Sequence, residues 1–557
     1  MRKLFTAIFM IVCATSMAQI FDKDSYSTVP PKREVRAVWM TTIGGLDWPK
    51  TYARTPQTRE RQKQELRLLL DRLQKANFNT VLLQVRIRGT VIYPSAYEPW
   101  DGCVSGNPGV SPGYDPLAFA VEECHKRGME CHAWIVSIPV GRPNGTGVRN
   151  MKRQHPELLM RQGDEMFMRP EKSGTAKYLA AICSEIAGNY DIDGIHLDYI
   201  RYPETMKLTI SRDQARKNIS GIVKAVHDAV KALKPWVKMS CSPIGKRNDL
   251  NRYWSRGWNA EEKGCQDVET WMREGWMDQI YPMMYFRGDN FYPFAADWKE
   301  RSHGRTVSAG LGIYFLSPKE ANWNFGEIQR EMSVCRQMGI GTAMFRNKFL
   351  MDNTKGVYDF TADEHNRYPA LVPEMTWYEH AAPPAPASLS LTDSGNAFTL
   401  SWDCPTDDEG LRYNVYAGDT APVDINDARN LIAVRLDRRS VVVPQTPHTR
   451  HFAITAIDRY GKESLPLQSG HADANTDSNS LQKLIRNNGD TVVLPAQPSA
   501  LDAEFILFES ATGCVVASRR YCRELNVSNI PDGMYIIRSL SRKGKTHRLG
   551  WVFIKRR

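Results

Sequence analysis

One short segment, residues 193–199 with the sequence DGIHLDY, carries side chains that are suited to chemistry. In an extended strand, alternate side chains point to opposite faces, so His196 and Asp198 share one face and apolar residues share the other. A strand that is apolar outside, polar inside and closed by a carboxylate is typical of a parallel barrel with reactive groups at one rim. The alternative is a buried aspartate that pairs with Arg201.

Other predicted strands repeat this polar inward face. The same alternation turns Arg86 inward in the second predicted strand and both His132 and Trp134 inward in the third. In the sixth predicted strand, Tyr285 shares a face with other polar residues. The inside of an inert barrel is more usually filled with valine, isoleucine and leucine. Polar and aromatic side chains from several strands therefore indicate a binding site on the barrel axis.

The residue types narrow the ligand to a carbohydrate. Arginine, histidine, tryptophan and tyrosine, mixed with carboxylates, can hydrogen-bond many hydroxyl groups and also stack on a flat apolar face. A sugar ring presents both features, although core packing remains the alternative for any single aromatic residue. The predicted substrate-binding residues are Trp48, Arg86, Tyr93, Glu98, His132, Trp134, His196, Arg201, Tyr285 and Asp289.

Glycoside hydrolysis usually needs two carboxyl groups, one to protonate the leaving oxygen and one to act as nucleophile or base. Asp198 is the first predicted catalytic residue because it ends the fourth strand on the inward face. Asp47, which follows the first strand, is predicted as the second, with Glu98 and Asp289 as alternatives. Asp278 stands at the beginning of its strand, and we expect it to be a structural ion-pair partner.

The region 33–378 alternates short apolar strands with longer helical patterns. Eight strand candidates occur, at 35–42, 80–87, 130–138, 194–200, 237–243, 277–285, 306–314 and 341–345. Eight strand–helix repeats predict an α/β fold, a (β/α)8 TIM barrel. A doubly wound open sheet is the alternative, but no glycine-rich phosphate loop follows the first strand.

Two small all-β regions are predicted after the barrel. A proline-rich linker at 382–386 precedes short alternating strands, which indicate a β-sandwich over 383–472. Its Trp402 and its segments 413–416 and 456–461 make it resemble a fibronectin type III domain. A second sandwich is predicted over 485–557. The segments at 531–538 and 552–555 resemble a C-terminal sorting domain of type IX secretion, which implies contact with an export machinery.

The N-terminus has the pattern of a secretory signal peptide. A basic start at residues 1–3 precedes an apolar run over 4–13 and a small-residue site that ends at Ala18. We therefore expect residues 1–18 to be removed on export to the periplasm, the cell surface or the extracellular space. The apolar run is too short to span a bilayer, and no later segment qualifies.

Composition argues against several other classes. The formal net charge of +11 is spread along the chain, which fits an acidic polymer or an envelope surface as partner. No basic-aromatic module of a known type occurs, so nucleic acid is not an expected partner. No Cys/His spacing resembles a zinc site, and neither a metal nor another cofactor is expected.

The barrel region resembles the family-10-like glycosyl hydrolases, a group of bacterial envelope proteins. The matching segments, in order, are VRAVWMTT at 35–42, LDWP at 46–49, QVR at 84–86, YPS at 93–95, YEPW at 97–100, PGYDPL at 112–117, HKRGM at 125–129, HAW at 132–134, DGIHLDY at 193–199, SPIG at 242–245 and DQIYPMMY at 278–285. Asp198, Asp47, Arg86 and Trp134 are matched motif positions. Two departures occur: Tyr199 stands where the family often has a second acidic residue, and Tyr285–Phe286 stands where it often has tryptophan.

The resemblance implies a TIM barrel that hydrolyses glycosidic bonds, with peptidoglycan glycan strands among the substrates of related proteins. Together with the signal peptide, it leads us to expect an exported glycoside hydrolase that acts on a polysaccharide. The alternative is a glycan-binding or cell-surface scaffold protein that keeps the barrel without catalysis.

Overall fold

The computed structural model describes residues 30–406, 408–446, 449–469, 491–494, 503–510, 515–522, 524–541 and 546–554. The predicted signal peptide, residues 1–18, lies outside these ranges. The chain divides into two units, Met1–Ser469 and Gly470–Arg557. Within the described ranges, no helix combines the length and apolarity that a membrane crossing requires.

Eight parallel strands form a closed barrel, which confirms the predicted fold class. They are β1 (Arg36–Met40), β2 (Thr80–Arg86), β3 (Glu130–Val136), β7 (Gly194–Asp198), β8 (Lys238–Cys241), β9 (Gln279–Ile280), β10 (Thr306–Leu311) and β11 (Gly341–Met344). Val38 of β1 lies opposite Val81 of β2 and Met344 of β11, and these two pairings close the ring. Each strand lies within one of the eight predicted segments.

Helices pack around the outside of the barrel. They span Pro56–Lys75, Gly102–Ser105, Pro116–His125, Thr146–Gln154, Ser173–Asn189, Arg212–Leu233, Val268–Arg273, Tyr292–Glu300, Phe325–Gln337, Asn347–Met351 and Val357–Phe360. In the first helix, Thr55 forms a capping box with Thr58. Leu66 and Leu70 are buried on its inner face, and each contributes roughly 2 kcal/mol through burial.

A small antiparallel sheet stands on the rim after β3 and was not predicted from the sequence. It consists of β4 (Pro139–Gly141), β5 (Leu159–Gln162) and β6 (Glu165–Met168), with β6 in the middle. The turn between β5 and β6 contains Gly163 at a φ of +58°, a conformation that glycine adopts without steric cost. We call these three strands the rim sheet.

Two antiparallel sheets follow the barrel and share a core. One contains Ala387–Asp393, Ala397–Asp403 and Ser440–Pro444; the other contains Arg412–Gly418, Leu431–Leu436, His451–Ile457 and Leu467–Gln468. Leu400 and Trp402 from the first sheet pack with Val415 and Phe452 from the second. This arrangement is a small β-sandwich, and its fibronectin type III character remains a prediction.

The sandwich packs against the barrel end where the strands begin. Its Arg435 donates hydrogen bonds to Glu130 at 2.7 Å and to Asp193 at 2.6 Å. Its Arg459 pairs with Asp191, also at 2.7 Å. Since Glu130 begins β3, these contacts lie at the end opposite to the carboxyl ends of the strands, where barrel chemistry takes place.

The second unit is all-β in its described residues. Thr491–Val493 pairs with Glu524–Asn526, and a four-stranded sheet contains Val515–Arg520, Ala503–Glu509, Gly533–Ser541 and Thr546–Ile554 in that spatial order. Ile506, Phe508, Leu525, Ile537 and Val552 are buried together. Its resemblance to a sorting domain remains a prediction.

Candidate active site

A cleft of about 720 Å³ opens at the carboxyl ends of the barrel strands. Trp134, Asp198, Tyr285 and Phe345 lie on its barrel side. The opposite side consists of the tip of the rim sheet and the loop that follows β7. A volume of this size falls within the range of small-ligand sites, and this is where a TIM barrel places its catalytic groups.

Asp198 lies at the bottom of this cleft and is held by three donors. Its Oδ1 accepts hydrogen bonds from the Ser242 hydroxyl and from the backbone N–H of Tyr199, both at 2.8 Å. Its Oδ2 accepts one hydrogen bond, from the indole N–H of Trp134 at 3.1 Å. Because Oδ2 has only this single donor within the described chain, it retains a lone pair on which a proton can reside.

The environment of Asp198 shifts the pKa of its carboxyl group upward. Burial raises the pKa of this carboxyl above its ordinary value, while the nearby charge of Arg201 and the three hydrogen bonds oppose the rise. Asp198 is 7% exposed and forms no direct ion pair with another described residue. A buried carboxyl group that keeps its proton can act as a general acid.

Aromatic rings form the barrel side of the cleft. Tyr285 stacks on Phe345 with ring centroids 5.3 Å apart and an interplanar angle of 24°. Burial raises the pKa of Tyr285 well above its ordinary value, and Asp198 adds to this shift when it is ionised. Its phenol is therefore neutral and can donate a hydrogen bond. Of the predicted substrate-binding residues, Trp134 and Tyr285 line the cleft, as does the predicted catalytic residue Asp198.

The two predicted histidines lie inside the barrel but away from the cleft. His196 is fully buried, with Nε2 accepting from Trp39 Nε1 at 3.2 Å and Nδ1 at 3.0 Å from the Ser240 hydroxyl. Burial and then His132 lower the pKa of His196 well below its ordinary value, so the ring is neutral. His132 is also fully buried, and its Nε2 forms a hydrogen bond of 3.0 Å with Glu130 Oε2. Neither histidine lines the cleft, and substrate contact by either remains a prediction.

Asp47 is a structural carboxylate in this geometry. Its Oδ2 accepts from the backbone N–H and the hydroxyl of Thr41. Its Oδ1 accepts from Arg346 Nη1 at 2.7 Å and from the backbone N–H of Lys348 at 2.8 Å. The side chain is fully buried and does not line the cleft. Four donors therefore use the oxygens that a reacting carboxylate would need, and Asp47 joins the loop after β1 to the loop after β11.

Arg86 and Glu98 form a buried ion pair instead of a sugar-binding pair. Arg86 Nη2 lies 2.7 Å from Glu98 Oε1, and its Nε also donates to this carboxylate. Arg86 Nη1 donates to the carbonyls of Val136 and Ser137, where β3 leads into the rim sheet. This ion pair therefore holds the end of β3 in place, below the cleft.

The other predicted binding residues are placed as follows. Trp48 is fully buried, and its indole donates to the Gln62 carbonyl at 2.9 Å. Tyr93 is fully buried against Tyr190. Asp289 is exposed on a short 3-10 helix and does not line the cleft. None of these three residues lines the cleft, and their contact with substrate remains a prediction.

One expectation outside the cleft is confirmed. Asp278 lies at the start of β9 and accepts from Lys231 Nζ at 2.7 Å and from the indole of Trp377 at 2.8 Å. It is a structural ion-pair partner at the end of the barrel where strands begin.

Three acidic residues on the far side of the cleft were not proposed from the sequence. Glu204 follows β7 and pairs with Arg201, whereas Asp164 and Glu165 lie at the tip of the rim sheet. Glu204 and Asp164 lie in a loop and a turn, and Glu165 begins a strand of four residues, so strand alternation gives no information about the direction of their side chains. No cluster of three or more His, Cys, Asp or Glu side chains suited to a metal ion occurs among the residues with described positions.

The closed ring of eight parallel strands, with a cleft at their carboxyl ends, defines a TIM-barrel protein. Residues 34–309 match the family described as "Glycosyl hydrolase-like 10". A related protein, "Glycosyl hydrolase YngK" of Bacillus subtilis (strain 168), is 31% identical over 408 residues, which are 66% of this chain and 79% of that protein. The chain therefore belongs to the glycosyl hydrolase-like 10 family.

Two further proteins are similar to this chain. "Glycosyl hydrolase DigH" of Escherichia coli (strain K12) is 28% identical over 315 residues, covering 50% of this chain and 72% of that protein. Among solved structures, the PgaB (BpsB) glycoside hydrolase domain from Bordetella bronchiseptica has a TM-score of 0.42 at 12% identity, covering 60% of this chain and 98% of that domain.

Proposed function

We propose that this protein is an exported glycoside hydrolase that cleaves O-glycosidic bonds of a polysaccharide, with Asp198 as its general acid. The observation that carries the proposal is the position of Asp198, buried at the bottom of a rim cleft with a raised pKa. A general acid must arrive protonated and face the leaving oxygen. Membership of the family supports the same reaction class.

The surroundings of Asp198 support a carbohydrate as ligand. Trp134, Tyr285 and Phe345 contribute aromatic rings to the lining of the cleft, and Gln84 and Arg346 contribute polar groups. Aromatic faces pack on the apolar side of a sugar, and amide or guanidinium groups hydrogen-bond its hydroxyls. Peptidoglycan glycan strands are the first candidate substrate, because the predicted signal peptide sends the chain to the cell envelope and its net charge is +11.

The test is a panel of purified polysaccharides that includes peptidoglycan, with mass spectrometry of the products. The native protein is expected to release fragments that carry new reducing ends. Asp198→Asn, which keeps the shape of the side chain, is expected to reduce this release by about 10²–10⁴-fold, the usual contribution of acid catalysis. Asp363→Asn is the control, since Asp363 is an exposed aspartate outside the cleft. Equal release by native protein and Asp198→Asn would contradict the role of Asp198.

A glycan-binding or surface-scaffold protein is the second candidate function. Its support is the hydrogen bonding of Asp47, the predicted second carboxylate, whose two oxygens both accept from neighbouring residues. This alternative predicts binding to peptidoglycan or another polymer of the panel without any change in product mass. Detection of new reducing ends would exclude it.

We further propose that the C-terminal β-unit is recognised by an export machinery. The support is the sequence pattern near residues 531–538 and 552–555. Deletion of the region after residue 484 is expected to leave the protein in the periplasm, while the full chain reaches the cell surface. Fractionation followed by surface proteolysis measures this difference, and identical distribution of both chains would contradict the proposal.

A further inference from the structure

We infer that Glu204 is the second carboxylate of this cleft and acts as the base that activates water opposite Asp198. The inference rests on the proposed function and names the group that completes it. Glu204 and Asp198 line the same cleft, and both belong to the segment formed by β7 and the loop that follows it.

Glu204 is held by an ion pair with Arg201. Arg201 donates to it through Nε at 2.8 Å and also through Nη2, and both hydrogen bonds go to Oε1. The Arg201 side chain is only 4% exposed, so its charge is poorly screened by solvent. Both hydrogen bonds fix the position of the Glu204 carboxylate relative to the guanidinium. Within the described part of the chain, Oε2 accepts no hydrogen bond, and it remains available for a ligand or water.

Two contacts restrain the loop that carries Glu204, one within the loop and one to the rim sheet. Within the loop, the guanidinium of Arg201 lies 4.0 Å from the ring centroid of Tyr199. Gln162 of the rim sheet donates to the carbonyl of Thr205 at 3.2 Å. A carboxylate held in this way presents its free oxygen in one geometry, which a catalytic base requires.

The two carboxyl groups have opposite environments. Asp198 is buried without a direct ion pair, whereas Glu204 is paired with an arginine and has 23% of its side chain exposed at the rim. Pairs of titratable groups with such contrasting surroundings divide the roles of acid and base in glycosidases. Asp198 therefore supplies the proton, and water reaches Glu204 from the open side of the cleft.

The reaction step balances with these two groups and one water. Asp198 transfers its proton to the glycosidic oxygen while the bond from the anomeric carbon to that oxygen breaks, and the bonding electrons leave with the oxygen. Water attacks the anomeric carbon from the opposite face and gives its proton to Glu204. The products are a free reducing end and a free hydroxyl group, and the enzyme is left with an ionised Asp198 and a protonated Glu204. Asp198 then takes up a proton from solvent and Glu204 releases one, which restores the enzyme.

Glu165 is the competing candidate on the same side of the cleft. It pairs with Arg88 at 2.6 Å, but this arginine is 43% exposed and Glu165 itself is 33% exposed. Such an open pair is screened by solvent and costs little to break. Glu165 therefore lacks the fixed geometry that Arg201 gives to Glu204.

The test compares Glu204→Gln with Glu171→Gln in the full chain, on purified peptidoglycan or on the polymer of the panel that the native protein cleaves fastest. Glu171 is a matched control, because it also pairs with an arginine, Arg169 at 2.7 Å, and does not line the cleft. We expect kcat of Glu204→Gln to fall by about 10²–10⁴-fold with KM nearly unchanged, and kcat of Glu171→Gln to stay within twofold.

A chemical rescue separates a catalytic role from a structural one. Azide added to Glu204→Ala is expected to raise product release at least tenfold and to yield a glycosyl azide, because the anion replaces the activated water. Glu204→Gln with near-native kcat, or loss of kcat in Glu165→Gln instead, would overturn the inference. If either result is obtained and Asp198→Asn is inactive, only the role of Glu204 is refuted and the proposed hydrolase function stands. If native protein releases no product from any polymer of the panel, the proposed function itself is refuted.

Discussion

Replacement of Asp47 by asparagine tests whether this residue is structural, as its contacts indicate, or catalytic, as its position in the sequence suggested. The buried side chain accepts four hydrogen bonds, two of them from Arg346 and Lys348. Asparagine replaces one oxygen by an NH₂ group, which then faces donors and leaves Arg346 without its partner charge. Breaking one partner of a buried ion pair costs about 3–5 kcal/mol, and we take about 3 kcal/mol because Arg346 is 14% exposed.

This loss of about 3 kcal/mol in the free energy of unfolding can be converted into a decrease in melting temperature. An unfolding entropy of about 2.1 cal/mol/K per residue gives roughly 0.7 kcal/mol/K for a barrel of about 340 residues. A loss of about 3 kcal/mol therefore lowers the Tm of the barrel by about 4 °C. Calorimetry of the full chain measures it, with Asp363→Asn as the exposed control.

Activity completes the test of Asp47. We expect Asp47→Asn to keep kcat within about tenfold of native protein at a temperature well below its Tm, because the side chain does not line the cleft. An unchanged Tm together with a kcat reduced by a thousandfold would refute the structural role and restore Asp47 as the second catalytic carboxylate.

Two further predictions concern groups outside the cleft. Arg435→Ala removes the charge between Glu130 and Asp193, so we expect the free energy of unfolding to fall by about 3 kcal/mol. Proteolysis of the sandwich should then be faster while kcat stays at the native value, and an unchanged proteolysis rate would contradict this. Burial raises the pKa of Glu331 to about 9, and neither of its carboxyl oxygens has a hydrogen-bond partner among the described residues. A folded-state pKa above the unfolded value means that stability is lost as pH rises from about 5 to 9. Thermal unfolding should therefore show a Tm advantage of Glu331→Gln that grows over this range, and a constant difference would count against the buried carboxyl.

The fold was predictable because each barrel strand has a strong local signal. All eight predicted strands occur, and the polar inward face of β7 does end at a carboxylate that lines the cleft. The rim sheet was missed because its strands have only three or four residues, and no periodic pattern is visible over so short a length.

The site was only partly predictable, because strand alternation tells which side chains point into the barrel but not how far each lies from the cleft along the barrel axis. His132 and Trp134 point inward from the same strand, yet only Trp134 lies high enough to reach the cleft. His196, in the same way, is enclosed by Trp39 and Ser240. Glu204 was not predicted because it lies in a loop, and the path of a loop is determined by tertiary contacts such as the one between Gln162 and Thr205.

The most direct test of glycoside hydrolysis through Asp198 is cleavage of peptidoglycan in H₂¹⁸O, followed by mass spectrometry of the fragments. A hydrolase adds one oxygen from water to each new reducing end, so native protein should yield fragments heavier by 2 Da in H₂¹⁸O than in ordinary water, while Asp198→Asn should yield about 10²–10⁴-fold less of them. Labelled fragments at the native rate from Asp198→Asn would contradict the account, as would fragments without the label from native protein.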